Sequence, residues 1–179
     1  MVTAQDISVV RLAQRDPPRY WLTDSLLVGG SIRDRADYLT LRRGYGVTQV
    51  VNCDPGEDEG KVPPACLFEL PSIRHITAAD LAWPHHIIVP LTALVDTVTA
   101  GGGRVYLHCQ AGLGVSLTWA YALLRICYHL SRTESLARIN AGVRLVVGSH
   151  PDRRRRLDGV PPFVDDAFGW VDSTLPQEV

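Results

Sequence analysis

The sequence predicts an α/β fold: a single domain with a central, mostly parallel sheet of about five strands, flanked by helices. Short β-branched and apolar runs alternate along the chain with longer segments of helical periodicity. The length, 179 residues, suits one domain with a proper core. Hydrophobic residues make up 46% and charged residues 21% of the chain. That is enough apolar surface to offset the entropy of ordering, which excludes a disordered chain.

Residues 1–19 read as an irregular N-terminal arm running through Asp16, Pro17 and Pro18, and residues 20–179 as the domain. Tyr20 to Leu22 and Leu26 to Val28 read as short strands around the turn residues Thr23, Asp24 and Ser25, closed by Gly29 and Gly30. Asp34 caps a helix that reaches Arg43 and stops at Gly44. Val47 to Asn52 is a buried strand, 54–64 a surface loop rich in Pro, Gly and acid, and 66–70 another short strand. The spacing of Ile87, Leu91, Leu94, Val95 and Val98 predicts a helix over 84–100, stopped by Gly101, Gly102 and Gly103. A strand over 104–108 and a strongly apolar helix over 116–130 follow. Ser131 and Glu134 fit a capping box for a helix reaching Asn140 and stopped by Gly142. Residues 150–162 read as an Arg- and Pro-rich loop containing Arg153, Arg154, Arg155 and Arg156, and 163–173 as a last helix.

Eighteen Lys and Arg oppose nineteen Asp and Glu, a net charge of −1. No global basic excess points to nucleic acid as a partner. No apolar run approaches the roughly 18 residues that span a bilayer, and the first residues lack the basic-then-apolar order of a signal peptide. Cys53, Cys66, Cys109 and Cys127 lie far apart with no CxxC pair. They read as free thiols of a reducing compartment, so a cytoplasmic location is expected. His85 and His86 open a helix without a further ligand at metal spacing, so no metal is expected, nor any organic cofactor.

The informative stretch runs from Val105 to Ser116. A buried strand delivers His108 and Cys109 to its C-terminal edge, where ligands bind in open α/β sheets. Gln110, Ala111, Gly112, Leu113, Gly114 and Val115 then form a loop before the next helix. Two glycines let successive N–H groups turn inward into an anion nest, and the helix N-terminus adds unpaired N–H groups and partial positive charge. This environment favours the thiolate. Such a thiol is a nucleophile suited to phosphate or another oxyanion.

The order His108, Cys109, Gly112, Gly114, Ser116 resembles the signature of cysteine-dependent protein tyrosine phosphatases, especially the compact dual-specificity class. Leu27 to Gly30, Gly46 to Asn52 and Glu134 to Arg144 are similar to flanking parts of that family, so the likeness spans roughly residues 20–148. The resemblance implies a nucleophilic role for Cys109, with Ser116 assisting departure of the thiolate and His108 tuning the thiol from behind the loop. It also implies an upstream general acid, for which Asp80 is the best match, with His75 and Trp83 near it. Asp80 equally reads as a helix cap, and Asp96 is a weaker candidate.

The sequence departs from the family where chemistry is most sensitive. The family places Arg at the position occupied by Val115. That guanidinium is a bidentate fork for phosphate oxygens and meets the charge of the transition state. By analogy with other phosphoryl-transfer arginines, its loss costs on the order of 10³–10⁵ in rate. Three readings follow. The first is a pseudophosphatase that binds a small anionic or phosphorylated ligand or a protein partner. The second is a phosphatase with a relocated cation, for which Arg74, Arg33, Arg35, Arg144 and the run from Arg153 to Arg156 are candidates. The third is a cysteine enzyme repurposed for non-phosphate chemistry.

Overall fold

The computed structural model describes residues 9–10, 19–54, 60–70, 84–148, 169 and 171–173. In chain order these form strands β1 (Val9–Val10), β2 (Arg19–Trp21) and β3 (Leu26–Gly29), helix α1 (Arg35–Tyr45) and strand β4 (Val47–Asn52). A 3-10 turn over Pro64–Cys66 leads into β5 (Leu67–Glu69), followed by α2 (Pro84–Ala100), β6 (Arg104–His108), α3 (Val115–Ile126) and α4 (Arg132–Gly148). The strands make one sheet in the order β1-β2-β3-β6-β4-β5. The four strands from β3 to β5 are parallel to one another, and β2 and β1 add antiparallel beyond β3. The sixth strand is β1, a two-residue edge within the segment that the sequence reads as an irregular arm.

β6 is central because its side chains have nowhere else to go: Val105, Tyr106 and Leu107 are fully buried. Period-two alternation splits them between two cores. Tyr20, Val28, Val51, Val105, Leu107 and Cys109 face the side covered by α2, α3 and α4. Leu27, Val47, Val50 and Tyr106 face α1, which contributes Tyr38 and Leu41. Burying each such aliphatic side chain is worth about 1.5–3 kcal/mol, so both layers hold β6 in place.

Asp34 caps α1 as expected, its carboxylate accepting the Asp37 N–H at 2.7 Å. The helix continues past Gly44 and ends at Gly46, which has φ 68° and donates its N–H to the Leu41 carbonyl. Nothing at Gly44 requires a stop, whereas the left-handed turn at Gly46 does. Helix α3 starts at Val115 and ends at Ile126 rather than reaching Leu130. There the chain turns out through His129 at φ 51°, and Arg125 satisfies the Leu130 carbonyl at 2.7 Å.

The Ser131–Glu134 capping box is present: Glu134 accepts the Ser131 N–H at 2.9 Å, and Ser131 Oγ accepts the Glu134 N–H at 3.2 Å. Helix α4 nevertheless runs through Gly142 to Gly148. Gly142 is a packing site rather than a stop, since a Cβ there would collide with Cδ2 and Cε2 of Tyr20. Residues 169 and 171–173 are helical. The expected loop over 150–162 and most of the last helix lie outside the described residues.

Candidate functional site

β3, β6 and β4 run side by side, with Gly29, His108 and Asn52 as cross-strand partners at their C-terminal ends. The chain beyond His108 therefore emerges between two neighbouring strand ends. Cys109 is 6% exposed, and its Sγ lies 3.2 Å from Ser116 Oγ, in the first turn of α3. Ser116 is fully buried. A hydroxyl so placed donates a charge-assisted hydrogen bond to sulfur whenever the sulfur is a thiolate.

The loop backbone is oriented from outside. The Ser31 N–H donates to the Gln110 carbonyl at 3.2 Å, and the Tyr20 hydroxyl donates to the Gly112 carbonyl at 3.2 Å. In a trans peptide the carbonyl of one residue and the N–H of the next point in opposite directions. Turning these two carbonyls outward therefore turns the N–H groups of Ala111 and Leu113 the other way. Among the described residues the N–H groups of Ala111, Gly112, Leu113, Gly114 and Val115 have no acceptor. Gly114 starts α3 without a side-chain cap. The loop thus presents a run of unpaired donors together with the positive end of a helix.

Gly112 is required twice over. Its φ of 70° is the left-handed conformation. A Cβ there would collide with the Gly29 carbonyl carbon and lie 2.6 Å from the Gly29 oxygen. The loop therefore rests on the end of β3.

His108 is fully buried, its ring stacked on Tyr106 with centroids 5.3 Å apart. Tyr106 in turn donates its hydroxyl to the Gly30 carbonyl and accepts from Arg19 Nε at 2.8 Å. Arg19, 1% exposed, also grips Asp37 with two hydrogen bonds of 2.9 and 2.6 Å. Burial pushes the Tyr20 and Tyr106 hydroxyls and the Cys53 thiol up, and the neighbouring Cys109 adds to each shift; for Tyr106, Arg19 opposes it. All three stay protonated at neutral pH.

The structure brings His108 at the end of β6, Cys109, residues 110–114, and Val115 and Ser116 at the start of α3 together beyond the C-terminal end of a central strand. Val115 is half-buried, and packs against the core beneath α2, α3 and α4. Arg33 and Arg35 are exposed around the start of α1, with the Arg33 N–H donating to Asp37 at 3.2 Å. Arg144 is exposed on α4. Asp80, Arg74, His75, Trp83 and the four-arginine run lie outside the described residues.

Sequence reasoning missed Arg19, Tyr20, Asp37 and Tyr106. The one local signal was period two along β6, which puts Tyr106 on the same face as His108. Among the described residues there is no group of His, Cys, Asp and Glu able to hold a metal, and no helix is long and apolar enough to cross a membrane.

No protein-family model and no curated protein matches the sequence, so likeness to known proteins is carried by structure. Human DUSP28 superposes with a TM-score of 0.65 at 19% identity, over 89% of this chain and 95% of that one. P. aeruginosa TpbA gives 0.57 at 16% identity, over 88% and 84%. PTPMT1 gives 0.56 at 17% identity, over 87% and 94%. With β6, the Cys109 loop and α3 in the arrangement described, the chain has the fold of the dual-specificity and protein tyrosine phosphatases.

Proposed function

We propose that this chain is an atypical protein of the dual-specificity phosphatase fold, in which Cys109 is the reactive nucleophile and residues 110–115 form an anion nest. Phosphomonoester hydrolysis by it is weak or lost. The observation that supports this most is the pairing of Cys109 with Ser116 at 3.2 Å beneath a run of unpaired loop amides, with Val115 at the position where α3 begins.

In this reading the Cys109 thiolate attacks the electrophile while the amides hold its oxygens. Ser116 then donates to the sulfur as it leaves, and His108 fixes the strand end behind it. Asp80 is the proposed general acid and base. The amides bind an anion without help, but the Val115 side chain brings neither charge nor donor to the charge that builds up during transfer.

Two neighbours of the same fold carry phosphate ligands: TpbA in complex with pTyr and PTPMT1 in complex with PI(5)P. A small anionic or phosphorylated ligand fits the same chemistry here, in a cytoplasmic setting. The half-buried, uncharged Leu113 and Val115 favour one further reading, a cysteine enzyme acting on a non-phosphate substrate.

The test is protection of Cys109. Tungstate, a phosphate mimic, is expected to slow iodoacetamide alkylation of Cys109, followed by peptide mass spectrometry, with saturable dependence on its concentration. An alkylation rate indifferent to tungstate and to phosphate refutes the anion nest.

A further inference from the structure

β2 approaches the loop from both faces of the sheet, and neither contact is explained by the sequence motif. On one face the Tyr20 hydroxyl, on a fully buried residue, donates to the Gly112 carbonyl at 3.2 Å. On the other, Arg19 holds Tyr106, which holds the Gly30 carbonyl next to the Gly29 backbone on which Gly112 rests. The two β2 residues alternate across the sheet and act on neighbouring parts of one site.

We propose that Tyr20 is a positioning residue for the anion nest: its hydroxyl turns the Gly112–Leu113 peptide so that the Leu113 N–H faces the bound oxyanion. Arg19 and Tyr106 brace the strand end that supports the same glycine. This rests on the anion-nest reading above and names what holds the nest in shape.

The direction of the hydrogen bond decides the role. A carbonyl accepts only, so Tyr20 must be the donor, and the planar peptide then fixes the N–H on its far side. Burial pushes the Tyr20 hydroxyl far above the physiological range, and Cys109 adds to the shift. Tyr20 therefore keeps its proton and serves as a fixed donor, never as an acid or base. Its ring fills the space left by Gly142, which locks the hydroxyl in place. Without that hydrogen bond the peptide is free to rotate, and one amide is lost from the nest for part of the time.

The test is Tyr20→Phe, which keeps the ring against Gly142 and deletes only the hydroxyl. Tungstate protection of Cys109 from iodoacetamide gives the dissociation constant, read beside thermal stability. One hydrogen bond lost from an oriented nest predicts roughly threefold to tenfold weaker tungstate binding. Tyr106→Phe, which frees the Gly30 carbonyl but keeps the ring on His108, is expected to weaken binding in the same direction, and stands in if Tyr20→Phe does not fold.

Ser25→Ala breaks the 2.8 Å contact between Ser25 and Tyr128, remote from the loop. It is expected to lower stability and leave the tungstate constant unchanged. Weaker binding in Tyr20→Phe with native binding in Ser25→Ala supports the proposal. Native binding in Tyr20→Phe overturns it and leaves the anion nest standing. Failure of tungstate to protect the unmodified chain overturns both.

Discussion

Gly112→Ala separates the cost of an unusual backbone conformation from the cost of close packing. Gly112 has φ 70° and Gly60 has φ 73°, so alanine at either position meets the same left-handed penalty, about 1–2 kcal/mol. Around Gly60 a new Cβ meets nothing within 4 Å. At Gly112 it collides with the Gly29 carbonyl carbon and comes within 2.6 Å of the oxygen and 2.8 Å of the Cα. These are backbone atoms of a strand paired on both sides, so they cannot swing away as a side chain would.

Overpacking of that kind adds about 1–3 kcal/mol. Gly112→Ala is thus expected to cost roughly 2–5 kcal/mol in all, and Gly60→Ala about 1–2. At roughly 2–4 °C per kcal/mol for a chain of this size, Gly112→Ala lowers the melting temperature by about 4–20 °C. Urea titration and calorimetry of both variants give the two numbers, and tungstate protection of Cys109 reports the loop. If Gly112→Ala matches Gly60→Ala in stability and keeps native protection, the loop does not rest on β3 as described.

The buried ion pair gives two further expectations. Arg19→Met removes the charged partner of Asp37 and one donor to the Tyr106 hydroxyl, and is expected to cost about 3–5 kcal/mol in urea denaturation. Burial pushes the Asp37 carboxyl up, but the hydrogen bonds and charge of Arg19 outweigh it and hold it below the ordinary value. A carboxyl depressed on folding contributes stability that is present above its unfolded pKa and lost as pH falls through the folded one. The urea midpoint should therefore drop as pH falls below about 3.9. Asp37→Asn should lower the midpoint at neutral pH and flatten that drop, and an unchanged acid slope would count against the pair. For the thiols, burial and the charge of Asp96 push Cys127 up to about 12, and burial beside Cys109 pushes Cys53 well up. Iodoacetamide at pH 8 should leave both unmodified by mass spectrometry; rapid labelling of either would contradict their placement.

What the sequence makes legible is what is local. The strand, Cys109, the two glycines, Ser116 and α3 follow one another within a dozen residues, and the chemistry of each type points to the same loop. The same locality located Asp34 as a cap and Ser131 with Glu134 as a capping box. The ends of α1 and α4 were misread because Gly44 and Gly142 carry the usual stop signal, while packing decides. Gly44 has space around it, and Gly142 makes room for the Tyr20 ring. The brace behind the loop was invisible for a different reason. Arg19 and Tyr106 are 87 positions apart, and Tyr20 and Gly112 are 92 apart. No pattern in one sequence announces a pairing at that range. An arginine following two prolines at the end of an apparent arm reads as a solvated charge, yet it is 1% exposed.

In the proposed reading the nucleophile and its nest are intact while the charge needed for phosphoryl transfer is missing at Val115. The most direct measurement is hydrolysis of an aryl phosphate by the unmodified chain beside Val115→Arg and Cys109→Ser. Turnover at or near background is expected for the unmodified chain, and a rise on the order of 10³-fold or more for Val115→Arg. Combining Val115→Arg with Cys109→Ser should abolish that rise. Rapid, Cys109-dependent turnover by the unmodified chain would refute the loss of that charge and place the cation elsewhere in the protein.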